Sequence, residues 1–250
     1  MRLTVVTYNV RGFRDGPDRV GEIVERLAPD VLLLQETGPR RTLRRFAAGL
    51  GMGVAADPWS PLRRRVKDAV LVRPPWRIVE HRQRRFADAA RFYPRGALIA
   101  QVGRAGRRVW AVSIHLGLAP TERNAHVHEL TDLCAGLAGG PVVIGGDLNA
   151  TPDERAVRWL ADRYWDAWAT MATGGPNGDG GPKRADEEAA RAGAGPANAG
   201  GETFPARDPT ARIDYLFASA GLRVVSARVP VRAEEASDHL PLAAELEVED

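Results

Sequence analysis

The stretch Gly145-Gly146-Asp147-Leu148-Asn149-Ala150-Thr151-Pro152-Asp153 decides the fold, and the rest of the chain is organised around it. It follows the run Pro141-Val142-Val143-Ile144, which is apolar and β-branched and therefore predicts a buried strand. Thr151-Pro152 suits the cap and the first position of a helix, so we expect a helix to begin there. Asp147 and Asn149 then lie where a strand turns towards a helix, and residues two apart in extended chain share a face.

This pair of polar side chains has two interpretations. In the first, Asp147 and Asn149 offer oxygen atoms to a hard cation and to a polar substrate. In the second, they belong to a solvated turn, because turn chemistry alone accounts for Asp, Asn and Gly at such positions. The choice depends on what the other strands carry at their ends.

Length and composition are those of one large globular domain covering residues 1–250. The 250 residues, of which 44% are hydrophobic and 27% charged, suffice for an ample core. No apolar run approaches the length of a membrane span, and residues 1–10 contain no basic-then-apolar leader. Cys134 is the only cysteine, which excludes a disulfide and a cysteine-rich zinc site. We therefore expect a cytoplasmic monomer without a membrane span.

Apolar runs and amphipathic stripes alternate along the chain. The segment from Pro17 places Val20, Ile23, Val24 and Leu27 at helical spacing. Residues 173–202 contain no large apolar side chain and predict a mobile loop. Helices are predicted at 17–28, 40–50, 121–137 and 151–161, and strands at 3–8, 31–34, 69–72, 78–81, 96–102, 107–116, 141–144, 213–218, 222–231 and 240–248.

Polar residues with metal-binding or catalytic capability mark the ends of these strands. Four strands end in one, and two later strands begin with one. If the later strands run antiparallel to their neighbours, all of these residues reach one edge of a layered core. Each has an ordinary structural explanation by itself, but the joint pattern is hard to obtain by accident. The residues are Asn9, Glu36, His115 and Asp147 at strand ends, and Asp214 and Asp238-His239 at strand starts.

A set of seven motifs, in order along residues 5–241, resembles the endonuclease/exonuclease/phosphatase family. Members of this family include deoxyribonuclease I, exonuclease III, sphingomyelinases and inositol polyphosphate 5-phosphatases. The resemblance implies a four-layer α/β sandwich, in which two packed mixed β-sheets are flanked by helices. An α/β-hydrolase fold is the alternative, but the chain has no Gly-x-Ser-x-Gly elbow. The motifs are Asn9, Gln35-Glu36, Ser113-Ile114-His115-Leu116, Gly146-Asp147-Leu148-Asn149, Thr203-Phe204, Arg212-Ile213-Asp214-Tyr215 and Ser237-Asp238-His239.

The resemblance also implies a hydrolase for phosphoesters that depends on Mg²⁺ or Mn²⁺. A phosphoester carries negative charge that repels nucleophiles, so its hydrolysis needs charge neutralisation and an activated water. By resemblance, Glu36 is the leading metal ligand, and Asn9 and Asp238 complete an oxygen-rich set. Such a sparse set suits Mg²⁺, which keeps several waters.

The remaining catalytic roles are implied in the same way. Asp147 and Asn149 bind or orient the attacking water and hold a second metal, if there is one. Asp214 fixes the tautomer of His239 and favours its charged form. His239 either takes the proton from water or contacts the phosphate, and His115 donates to a non-bridging phosphate oxygen.

Substrate contacts are implied for Thr203 and Phe204 at the cleft and for Arg95, although a surface salt bridge explains Arg95 equally well. Arginines precede the strand that ends in His115, with aromatic residues among the later ones. This basic stretch predicts binding of a nucleic acid, DNA or RNA, with stacking on the aromatic rings. The alternative is a solvated surface from biased composition, since only Lys67 and Lys183 among the 35 basic residues are lysines. The stretch comprises arginines 63–65, 82, 84, 85, 91 and 95, with Phe86, Phe92 and Tyr93.

Departures from the family patterns leave the substrate open. Deoxyribonuclease I-like enzymes are secreted and disulfide-bonded, and sphingomyelinases are typically longer and exported. Abasic-site enzymes resembling exonuclease III carry a tryptophan where this chain has Ala211. A phosphatase or phosphodiesterase for small molecules or phospholipids is therefore the alternative to a nuclease. A non-catalytic phosphate-binding member is disfavoured, because Glu36, Asp147 and His239 are all present.

Overall fold

Two mixed β-sheets of six strands each form the centre of the protein, in a computed structural model that describes residues 1–57, 64–87, 92–173, 200–230 and 236–249. The first sheet has the strand order β11-β12-β1-β2-β4-β3, and the second has the order β5-β6-β7-β8-β10-β9. The strands are β1 Arg2–Asn9, β2 Val31–Gln35, β3 Gly53–Ala56, β4 Ala69–Val72, β5 Arg77–Arg85, β6 Gly96–Arg104, β7 Arg107–His115, β8 Val142–Asp147, β9 Trp165–Asp166, β10 Asp214–Ala218, β11 Leu222–Arg228 and β12 Leu242–Val248.

Helices flank the two sheets. They are α1 Pro17–Leu27, α2 Arg40–Gly49, α3 Pro120–Ala135, α4 Arg155–Ala161 and α5 Ala167–Ala172, and a short 3-10 turn spans Arg11–Phe13. Helices α1 to α4 pack on the outer faces, whereas Ala167 of α5 belongs to the core between the sheets. None of the helices in the described ranges combines the length and apolar character needed to cross a membrane.

Alternation along the buried strands creates three apolar layers. In β2, Leu32 and Leu34 face α1 and α2, whereas Val31 and Leu33 face the other sheet. On the far side, the second sheet packs in the same way against α3 and α4. Strands buried on both faces are apolar throughout, which is why these runs were recognisable in the sequence. The predicted four-layer sandwich is confirmed.

Strand directions bring the polar strand ends to one edge. β1 and β2 are parallel and pair Asn9 with Gln35, while β7 and β8 are parallel and pair His115 with Asp147. β10 runs antiparallel to β8, so its first residue, Asp214, lies opposite Asp147. β12 likewise runs antiparallel to β1, which brings the preceding Asp238-His239 to the same edge.

Three local expectations differ from the structure. The helix predicted from Thr151 begins only at Arg155, because Thr151–Glu154 form a turn closed by the Glu154 N–H donating to the Thr151 carbonyl oxygen. β5 is longer than predicted, since an exposed edge strand carries charged residues that hide its pattern. The short strands β3 and β9 and the helix α5 were not predicted. The loop predicted at 173–202 lies almost entirely outside the described residues, as do Arg63 and Arg91.

Candidate active site

Asp147, the last residue of β8, is the centre of the polar edge. Its side chain is buried, and Asn9 Nδ2 donates to its Oδ2 at 3.0 Å, while the Asn149 backbone N–H donates to Oδ1 at 2.8 Å. The Nε2 atoms of His115 and His239 lie 3.3 and 3.7 Å from the same Oδ2. One carboxylate therefore joins residues from four separate parts of the chain.

Two glycines allow β8 to deliver Asp147 to this position. A Cβ atom at Gly145 would lie 2.6–2.7 Å from side-chain carbons of Leu216 and Leu33, so the residue must be small for the sheets to pack. A Cβ atom at Gly146 would collide with the backbone carbonyl oxygen of Ile114 on β7. The backbone of Asn149 is left-handed, with φ 50°, and its Nδ2 donates to the Leu116 carbonyl oxygen at 3.1 Å.

We predict that Gly146→Ala destabilises the protein by about 1–3 kcal/mol, because the obstacle is backbone rather than a mobile side chain. Gly49→Ala is the matched control, since a Cβ atom at Gly49 meets nothing within 4 Å on helix α2. The control should be neutral or slightly stabilising. Urea unfolding of both variants measures the difference, and equal stabilities would show that β7 and β8 can separate without cost.

A buried dyad lies beside Asp147. His239 Nδ1 is 2.8 Å from Asp214 Oδ2, and the Thr203 hydroxyl donates to the same oxygen at 2.6 Å. The Phe204 ring centre lies 4.9 Å from that of His239. Thr203 and Phe204 therefore hold the dyad in this structure, with Thr203 fully buried.

The charges in this group stabilise one another. Burial opposes ionisation of Asp147, but the two imidazoles and the Asn149 N–H outweigh it and lower its pKa below the ordinary value. Burial also opposes charge on His239, but Asp214, Asp147 and Asp238 raise its pKa to about 9. Burial raises the pKa of Asp214 against the attraction of His239. At neutral pH, His239 is therefore an imidazolium and Asp147 a carboxylate.

Glu36 lies on one side of this centre, at the wall of a cavity of about 260 Å³. Its φ of 53° is left-handed, which is uncommon for such a residue, and its carbonyl oxygen accepts the Gly12 N–H at 2.7 Å. Arg95 Nη1 lies 2.6 Å from each ring nitrogen of His115. The cavity is lined by Arg14, Glu36, Lys67, Asp68, Tyr93, Pro94, Arg95 and His115.

Asp238 lies on a different cavity, of about 430 Å³. Its Oδ2 is 3.2 Å from Arg11 Nε, and its side chain is 38% exposed. The residues proposed as metal ligands thus fall into three places: Asn9 and Asn149 contact Asp147 directly, whereas Glu36 and Asp238 line separate cavities. The structure therefore joins the first group by direct contacts, while Glu36 and Asp238 line different cavities.

The donors at this edge fit a divalent cation. Within the described residues, one ligand atom each from Asp147, Asp214 and His239 lie within 4.8 Å of one another. Two buried carboxylate oxygens, Asp214 Oδ1 and Asp68 Oδ2, have no hydrogen-bond partner among those residues. Oxygen-rich sets with unsatisfied carboxylates are what Mg²⁺ and Mn²⁺ bind.

Asp68 and Lys67 were not recognised as members of the site from the sequence. A solvated surface was the alternative interpretation of the arginines at 63–65, yet Arg65 is buried and donates to the Gly38 carbonyl oxygen. Asp68 directly precedes β4, which is antiparallel to β2. Like Asp214, it is a polar residue at the start of an antiparallel strand, and that pattern could have identified it in the sequence.

The basic stretch only partly borders the site. Arg85 pairs with Gly96, and Gly96 pairs with His115, so the end of β5 reaches the polar edge. Arg84 Nε lies 3.2 Å from Glu129 Oε1. The expectation that Phe86 offers a stacking face was wrong, because it is buried and stacks on His126 with ring centres 4.6 Å apart.

Two exposed aromatic side chains lie close in the chain to Arg95. Phe92 and Tyr93 are 52% and 56% exposed. Lys67 Nζ lies 4.2 Å from the centre of the Tyr93 ring, which lines the cavity beside Glu36. This geometry combines a cation and an aromatic face at the cavity.

Comparison with known proteins identifies the class. The model of the Endonuclease/Exonuclease/phosphatase family matches residues 6–239. No curated protein sequence is significantly similar to this chain. The chain belongs to the endonuclease/exonuclease/phosphatase family, whose members are phosphoester hydrolases, so the resemblance seen in the motifs is confirmed.

Solved structures share the whole fold at low sequence identity. An endonuclease/exonuclease/phosphatase from Bacteroides vulgatus has a TM-score of 0.77 and 20% identity, with 100% of both chains covered. A mannosyl-6-phosphatase from Bacteroides thetaiotaomicron has a TM-score of 0.72 and 18% identity, covering 98% of this chain and 99% of that one. The human Nocturnin catalytic domain, with bound sulfate, has a TM-score of 0.69 and 18% identity over 98% and 94% of the two chains.

Proposed function

We propose that this protein hydrolyses a phosphoester with the help of a divalent cation, Mg²⁺ or Mn²⁺, and that its substrate is a nucleic acid. The observation that carries the hydrolytic function is the buried Asp147 carboxylate, held between His115 and His239 and bonded by Asn9. Metal-binding residues are proposed to be Asn9, Glu36, Asp147, Asn149 and Asp238.

The side chains have separate tasks in this mechanism. Ionised Asp147 accepts a hydrogen bond from the attacking water and orients it, with Asn149 fixing the carboxylate. His239, charged and held by Asp214, donates to a phosphate oxygen rather than removing the proton from water. His115, which contacts Arg95 Nη1, is the second donor to the phosphate. When bound, a divalent cation supplies positive charge that neutralises the phosphoryl oxygens.

Three features support a nucleic-acid substrate. Arg14, Lys67 and Arg95 line the cavity beside the catalytic centre. The arginine-rich end of β5 reaches the same edge of its sheet. Exposed Tyr93 and Phe92 offer faces for stacking of bases. A strand of phosphates with flanking bases matches this combination of charge and aromatic surface.

A small phosphomonoester is the second candidate. The cavity of about 260 Å³ is small, and Arg84 is engaged by Glu129 instead of projecting freely. A mannosyl-6-phosphatase shares the fold. Hydrolysis of bis-p-nitrophenyl phosphate against p-nitrophenyl phosphate, with Mg²⁺ or Mn²⁺ and with EDTA, separates diesterase from monoesterase. No metal-dependent hydrolysis of either compound, nor of DNA, RNA, nucleotides or phospholipids, would refute the proposed function.

Salt dependence tests the nucleic-acid substrate directly. Between about 50 and 200 mM salt, affinity for single-stranded DNA should fall about tenfold or more if three phosphates are contacted, because each contact releases counterions. The double variant Arg84→Gln/Arg85→Gln should lower the slope of log affinity against log salt by about 1 to 2.

The control for this measurement is Arg2→Gln. Arg2 also pairs with a partly buried glutamate, Glu245, but lies at the opposite end of its strand from the polar edge. The slope of log affinity against log salt for Arg2→Gln should equal that of the unmodified protein. A flat salt response, or equal slopes for the control and the double variant, would favour the small phosphomonoester.

A further inference from the structure

Asp68 is a buried carboxylate for which the catalytic centre described so far has no use. It is 2% exposed and lines the cavity that also contains Glu36 and His115. Among the described residues, its Oδ2 has no hydrogen-bond partner. A buried carboxylate oxygen without a partner costs free energy, so a ligand that satisfies it would be bound favourably.

Its place in the sheet puts Asp68 beside Glu36. β2 and β4 are antiparallel, with Leu34 opposite Ala69, and the Thr37 N–H donates to the Lys67 carbonyl oxygen at 2.9 Å. Asp68 lies between these two points of contact, next to Gln35-Glu36 on the neighbouring strand. Two carboxylates from adjacent strands therefore reach one cavity.

Two cations that line the same cavity have contacts of their own. Arg95 Nη1 lies against both ring nitrogens of His115, and Lys67 Nζ lies 4.2 Å from the centre of the Tyr93 ring. With Arg14, the cavity wall carries three cations beside the two carboxylates of Asp68 and Glu36. A hard divalent cation with several waters suits such a pair.

We propose that Asp68 and Glu36 together bind a divalent cation in this cavity, so that Asp68 is a metal ligand of the protein. The inference rests on the proposed function, because that cation is the one the hydrolysis uses. It adds to the family-implied ligands a second carboxylate in the cavity of Glu36, whereas Asp238 lines a different cavity.

The test measures Mn²⁺ binding rather than activity, with Asp68→Asn as the variant. The amide keeps the size of the side chain and removes its charge. We expect the Mn²⁺ dissociation constant, measured from the electron paramagnetic resonance signal of free Mn²⁺, to rise about tenfold or more. Asp57→Asn is the matched control, since Asp57 is similarly buried but lies outside the cavity lining. Its dissociation constant should stay within about twofold of the unmodified value.

Thermal unfolding distinguishes a ligand from a structural counter-charge. In EDTA, Asp68→Asn should have an unchanged or higher Tm, because an amide costs less to bury than a carboxylate. The rise in Tm on adding Mg²⁺ should be smaller than for the unmodified protein. Asp68→Ser serves the same comparison if the first variant fails to fold.

Two results would overturn the proposal. One is a Mn²⁺ affinity of Asp68→Asn within twofold of the unmodified protein. The other is a lower Tm in EDTA with an unchanged Mg²⁺ response, as expected if Asp68 only balances Arg95 or Arg65. Failure of the proposed function looks different: the unmodified protein would bind Mn²⁺ in an Asp68-dependent way and yet hydrolyse no phosphoester.

Discussion

Asp147→Asn should lower kcat for phosphoester hydrolysis by about 10³-fold or more. The variant should stay folded even without Mn²⁺. The carboxylate is the shared partner of Asn9, His115 and His239, and its ionised form orients the water in the proposed mechanism. An amide at this position cannot accept from both Asn9 Nδ2 and the Asn149 N–H, since it has one acceptor oxygen. A stability loss of about 1–3 kcal/mol should accompany the loss of turnover.

The control for this variant is Asp153→Asn. Asp153 lies six residues further along the same loop and is exposed, where its Oδ1 accepts from the Thr151 hydroxyl at 2.5 Å. Its turnover should match that of the unmodified protein. Near-normal turnover of Asp147→Asn would show that Asp147 is not catalytic, and the cavity beside Glu36 would then be the candidate active site.

Loss of His239 and loss of Asp214 should not be additive. His239→Ala removes the cationic donor, and Asp214→Asn removes the carboxylate that holds it 2.8 Å away and keeps it charged. Each single change should lower kcat about 10²- to 10⁴-fold, and the double variant should be about as slow as His239→Ala alone. The reason is that Asp214 acts on the reaction only through His239.

Steady-state kinetics of the two single variants and the double variant measure this coupling. His128→Ala is the control, because the His128 ring packs at a tilt against the Trp159 ring, with ring centres 3.9 Å apart, and makes no contact with Asp147, Asp214 or His239 in the described part of the chain. Its kcat should be unchanged. If the loss of kcat in the double variant equalled the product of the two single losses, Asp214 and His239 would act independently.

The layered fold could be predicted because its strands are buried on both faces and so are apolar throughout. The edge that gathers the site could be predicted for a related reason. Asn9, Asp147 and Asp214 interrupt such runs where each strand ends or begins, and parallel or antiparallel pairing then fixes which edge they share. The assignment of individual metal ligands remains a prediction.

What the sequence did not reveal has physical causes. Asp68 was missed because it directly follows the charged residues 64–67, where charge patterning indicates solvent although Arg65 is buried. The prediction for Phe86 was wrong because arginines surround it in the sequence, whereas its ring, directly after the edge strand β5, is buried against His126. The late start of α4 reflects local hydrogen bonds that compete with helix formation: the Thr151 hydroxyl donates to Asp153 Oδ1, and the Thr151 N–H donates to Glu154 Oε1.

The hydrogen bond from Asn9 to Asp147 joins the two sheets, because Asn9 ends β1 and Asp147 ends β8. A second cross-link lies beneath it, where Gln35 Nε2 donates to Ser113 Oγ at 3.1 Å and Ser113 Oγ donates to the Leu34 carbonyl oxygen at 2.9 Å. The active site is therefore built from residues of two β-sheets, each with its own backbone hydrogen bonds. The distances between its side chains depend on the relative position of the two sheets. Core substitutions that shift one sheet against the other would therefore lower the activity even where no active-site residue is changed.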